Sequence, residues 1–127
     1  MNTRVLMSTS AALLGFSGLG ATFLPQEILL YNDMKTVPTL TLFLQVYGAL
    51  LLGFAMLNWT ARGNLLGGIY SRPVTIGNFT HFVVGGLALT KEAVAHPIWM
   101  TGTLAVLYIV FAVSFAVVLF KHPAKVV

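Results

Sequence analysis

Cysteine is absent from the chain. Disulfide exchange, thiolate metal sites, iron–sulfur clusters and thiol relays are therefore excluded together. Acids are nearly as scarce, Glu27, Asp33 and Glu92 being the only three carboxylate side chains in 127 residues. Charged residues of both signs make up only 8% of the sequence. A water-soluble domain carries roughly a quarter, so the groups needed to cover a wet surface are missing.

What the chain has instead is apolar: 57% of its residues are hydrophobic and its mean hydropathy is +0.89. Lipid is the expected solvent, and the length allows a single domain of 1–127 with no separate soluble catalytic domain. The formal charge of +4 comes from residues at segment ends, not from a basic stripe. Nucleic acid is therefore not an expected partner, whereas membrane lipid, other membrane subunits and a second copy of the chain are.

Four apolar runs, at about 5–24, 37–59, 74–90 and 98–120, predict an all-α fold: an antiparallel bundle of four transmembrane helices. The first follows the basic lead Met1 to Arg4, as a signal peptide would. It is longer than the usual apolar core of such a peptide and no Ala-x-Ala pattern follows it, so retention as a membrane helix is the expectation. Ser8, Ala11, Gly15, Gly18 and Thr22 place small residues on one face, where another helix can approach closely. Pro25 is expected to stop this helix, and the stretch after it to form a short amphipathic turn at the interface. In the second connection Gly67 and Gly68 argue against a helix.

Basic residues fix the expected orientation. Arg4, Arg62, Arg72, Lys121 and Lys125 fall on one side, and only Lys35 and Lys91 on the other. The positive-inside rule makes the first side cytoplasmic, with both termini on it. Localisation as an integral membrane protein follows as an expectation.

Few polar side chains interrupt the apolar runs, and these are the candidates for function. His81 is the only histidine inside such a run, Asn78 lies on the same helical face, and Gln45 is the one strongly polar residue inside the second run. Together they could bind a small apolar or amphipathic ligand, with neutral His81 as a proton acceptor or donor. They could instead satisfy one another and backbone carbonyls as interhelical glue, and that reading is preferred. At the cytoplasmic edge Arg62, Arg72, Trp59 and Tyr70 could hold a lipid headgroup, or the arginines could only set topology. Glu27, Asp33, Glu92 and His96 on the outer side offer acid–base chemistry in principle, at a spacing too loose to assign a catalytic residue.

No cofactor or metal is expected. His81 has no carboxylate or second histidine within a turn or two, and His96 and His122 lie at opposite ends of the expected spans, so two axial haem ligands cannot meet. Asn58-Trp59-Thr60 and Asn78-Phe79-Thr80 match the glycosylation pattern, but the expected topology keeps both from modification.

In layout the chain resembles small bacterial DoxX-like four-helix membrane proteins, most of them without an assigned activity. Phe23-Leu24-Pro25, Gln45 to Gly53, Asn58-Trp59 and Arg72-Pro73 carry the likeness. It implies a fold type and a bacterial origin, and with that a place in a bacterial inner membrane, and it brings over no catalytic residue. Three function classes follow, in order: an accessory or scaffold subunit or lipid-associated protein without catalytic machinery, a carrier or binding protein for a small apolar molecule, and an intramembrane enzyme.

Overall fold

A computed structural model describes residues 2–64, 66 and 71–121. Tyr70, Gly67, Gly68, His122 and Lys125, which the sequence singles out, lie outside the described residues. Those described form five α-helices and no strand: α1 (Thr3–Phe23), α2 (Pro25–Tyr31), α3 (Pro38–Ala61), α4 (Arg72–Ala95) and α5 (Trp99–Lys121).

Proline sets several of these boundaries. Pro25 ends α1, as expected, but it also occupies the first turn of α2, where its missing N–H costs nothing. The expected interfacial turn is thus a seven-residue helix. It stops at Asn32, whose side-chain amide donates to the Ile28 carbonyl at 2.7 Å, and Asp33 follows with a positive φ of 55°. Pro38 and Pro73 open α3 and α4 in the same way.

Helices α1, α3 and α5 are long and apolar enough to cross a membrane. Helix α4 has the same 24 residues as α3 but is less apolar, because Thr75, Asn78, Thr80 and His81 fall in its first half.

The chain divides into two compact units, Met7–Arg62 and Met1–Leu6 with Gly63–Val127. In the first, α1 and α3 pack antiparallel: Ser10 meets Asn58, Gly15 faces Ala55, and Gly18 faces Gly48 and Leu52. The expected small-residue face is what allows this. A Cβ on Gly18 would lie 2.9 Å from the Gly48 carbonyl oxygen, and one on Gly48 would lie 2.8 Å from the Gly18 carbonyl oxygen. The two backbones are in contact, which only glycine permits.

In the second unit α4 and α5 are antiparallel as well. Phe79 meets Phe120, Phe82 meets Phe115 and Phe111, and Gly85 and Gly86 meet Tyr108 and Ile109. Phe82 and Phe115 are fully buried, their rings stacked at 5.7 Å and 10°.

Candidate functional site

The polar groups of the helices fall into separate constellations, one of them on α4 and α5. His81 Nε2 lies 3.2 Å from the Tyr108 hydroxyl. Tyr108 is buried while His81 is half-buried, so the phenol is sealed and part of the imidazole is open. Phe82 supports both rings edge-on, with centroids 5.2 Å from His81 and 5.0 Å from Tyr108.

Gly85 makes this pairing possible. It lies one turn beyond His81, and a Cβ there would stand 2.8 Å from Tyr108 Cε1. The phenol ring rests on bare backbone, which brings its hydroxyl back to the imidazole. Tyr108 was not singled out by the sequence, because a tyrosine in a plain apolar helix carries no local signal; the glycine pair Gly85-Gly86 across from it was the available clue.

Asn78 shares α4 with His81 and is fully buried. Its amide donates to the Val74 carbonyl at 2.9 Å, a bond within its own helix. One turn earlier, Thr75 is buried with its hydroxyl 3.1 Å from the Leu66 carbonyl and 3.2 Å from that of Ser71. The threonine ties Leu66 and Ser71 to the first turn of α4, while the asparagine bonds back within the helix.

Gln45 belongs to the other unit and is exposed, its amide making a long 3.5 Å contact to the Thr22 carbonyl. The Thr22 hydroxyl oxygen is buried against Gly48 and has no hydrogen-bond partner among the described residues. Toward the other end of the α1–α3 pair, the Asn58 amide donates to Ser10 Oγ at 3.1 Å while Ser10 Oγ donates to the Met7 carbonyl at 3.0 Å. The sequence gives no sign of this pairing, since Asn58 beside Trp59 reads as an edge residue.

At the end of α3, the Arg62 guanidinium lies over the Trp59 ring with its carbon 3.9 Å from the centroid, and its Nη1 donates to the Trp59 carbonyl. Arg72 is exposed at the start of α4. On the connections, Glu92 and His96 pair at 2.9 Å, one turn apart on the exposed end of α4. Glu27 and Asp33 are exposed in and after α2. No group of three or more histidine, aspartate or glutamate side chains capable of holding a metal occurs among the described residues.

No family model, curated protein or solved structure matches the chain.

Proposed function

We propose that the protein is a small polytopic integral membrane protein without catalytic machinery, acting as an accessory or scaffold subunit or in association with lipid. The observation that carries this reading is the inverted placement of its side chains. Phe16, Phe43, Leu50, Met56, Val84, Leu87 and Val113 are exposed along the long helices, whereas Ser10, Asn58, Thr75 and Asn78 are fully or almost fully buried. Water would favour the reverse, while lipid makes outward apolar and inward polar side chains the low-energy arrangement.

In this reading α4 crosses the membrane with α1, α3 and α5, completing a four-helix antiparallel bundle with both termini on the cytoplasmic side of a bacterial inner membrane. Its polar residues support that crossing, since Asn78 and Thr75 are buried and bonded to backbone carbonyls. The DoxX-like resemblance stands with this proposal. So does the role of Asn58, Ser10, Asn78 and Thr75, which spend their hydrogen bonds on helix packing and helix ends.

Blue-native electrophoresis of gently solubilised membranes tests the accessory role. Migration in an assembly that survives purification and contains other subunits supports it; migration only as a free protomer contradicts it.

A second reading rests on His81 and Tyr108. A half-open imidazole on a sealed phenol, backed by Phe82, is an arrangement that could orient the polar head of a small apolar ligand. A small molecule that leaves the membrane with the wild type and is lost from a His81→Ala variant of unchanged stability would favour it.

A further inference from the structure

Arg62 lies in a stretch of the chain that has no acid to pair with it. No acidic residue occurs between Asp33 and Glu92, a stretch that contains both Arg62 and Arg72. Arg62 makes no ion pair among the described residues. It sits directly after the apolar helix α3, where the chain leaves the membrane if that helix crosses it.

An arginine with nothing to do there would extend its flexible stem toward water. Arg62 instead folds back along the last turn of α3. Its guanidinium carbon lies 3.9 Å from the centroid of the Trp59 ring, and one of its nitrogens donates to the Trp59 carbonyl, one of the helix-end acceptors that have no intrahelical donor. Two contacts to one residue hold the guanidinium on the indole. A guanidinium carries five N–H donors, and no other acceptor among the described residues meets those of Arg62. The side chain is part-exposed and Trp59 is 49% exposed, so both ring and fork are reachable from outside.

A planar cation of this kind, fixed at the boundary between oil and water with donors to spare, matches a phosphate with two acceptor oxygens side by side. The indole beside it suits the glycerol and upper acyl region, where amphipathic rings prefer to lie. We propose that Arg62, held on Trp59, is a binding site for the phosphate of a membrane phospholipid, with preference for an anionic headgroup that supplies the counter-charge the chain lacks. This rests on the membrane reading above and names the lipid chemistry within it.

The test is native mass spectrometry of the full-length protein released from nanodiscs containing equal amounts of phosphatidylglycerol and phosphatidylcholine. The wild type is expected to retain phosphatidylglycerol over phosphatidylcholine. Arg62→Gln, which removes the charge, is expected to lower that ratio about tenfold, and Arg62→Lys, which keeps the charge but loses the planar fork, to lower it less. Trp59→Leu should lower the ratio by releasing the guanidinium, with Trp59→Phe restoring part of it. Arg4→Gln, which removes a charge from the side predicted to be cytoplasmic, should leave it unchanged.

Each of these results would overturn the proposal: an unchanged ratio in Arg62→Gln, an equal loss in Arg4→Gln, or displacement of the lipid by millimolar inorganic phosphate, which would make the site one for free phosphate. If Arg62→Gln only lowers the melting temperature at an unchanged lipid ratio, Arg62 is a helix cap and the proposal fails. A chain that inserts into nanodiscs and shows no lipid preference defeats this inference alone; one that stays in aqueous buffer defeats the membrane reading.

Discussion

The side-chain amide of Asn58 donates to Ser10 Oγ at 3.1 Å, and neither residue has any exposed surface. This bond links α3 to α1 at one end of their contact, while the Gly18 and Gly48 backbones meet toward the other. Polar clasp and glycine contact fix the register of the pair between them.

Interhelical hydrogen bonds in lipid contribute modestly, because the separated helices also find partners. Asn58→Ala and Ser10→Ala are each expected to destabilise the protein by about 1 kcal/mol, with a coupling of about 0.6–1.7 kcal/mol in the double-mutant cycle. Steric-trap unfolding in bicelles measures this. Purely additive single effects would mean that the bond holds nothing.

Glycines in these helices separate into two kinds. At Gly18 and Gly48 an added methyl meets backbone atoms at 2.9 Å or closer, so Gly18→Ala and Gly48→Ala should each cost about 1–3 kcal/mol as overpacking. A Cβ at Gly53 or Gly102 meets nothing within 4 Å, and alanine there should be neutral or stabilising by up to about 1 kcal/mol. Equal effects at all four positions in the same unfolding assay would contradict the close approach of α1 and α3.

Tyr108 reaches His81 only because Gly85 leaves room for its ring. Tyr108→Phe is expected to cost about 1 kcal/mol and to shift the ¹⁵N resonances of His81. Against a Gly85→Ala background, which displaces the ring, the same substitution should have little further effect on either quantity. An undiminished response there would show that the hydroxyl reaches the imidazole by some other route.

Topology is tested without background, since the chain holds no cysteine of its own. In intact bacterial cells a cysteine replacing Asp33 should react with an impermeant thiol reagent, and one replacing Asn64 should react only after the membrane is permeabilised. The opposite pattern would invert the orientation drawn from the basic residues.

Helix positions were legible in the sequence because apolar run length and proline both act locally. Helices α3 and α4 begin within two residues of the expected starts at 37 and 74, with Pro38 and Pro73 in their first turns, and the small-residue face of α1 is the one that meets α3. The residue-level surprises arose where partners come from afar. Nothing near Ser10 announces Asn58, and nothing near His81 announces Tyr108, because 48 and 27 residues separate them. The helix over Pro25–Tyr31 is hidden for a different reason: a proline after an apolar run signals a stop, although its fixed φ serves equally well to start a helix. Of the expected ligand group, His81 and Asn78 share α4, while Gln45 is engaged with Thr22 in the other unit.

Lipid as the solvent of the exposed apolar faces is the claim on which everything else depends, and α4 is its most demanding case. Leu50, Val84 and Val110 are exposed midway along α3, α4 and α5. Each can be replaced singly by a spin-labelled cysteine in nanodiscs, and its collision rates with oxygen and with a water-soluble nickel chelate compared. High oxygen and low nickel accessibility at all three, Val84 included, is the predicted result; a label at Val84 or its counterparts that the nickel chelate reaches freely would mean that water, not lipid, surrounds that helix.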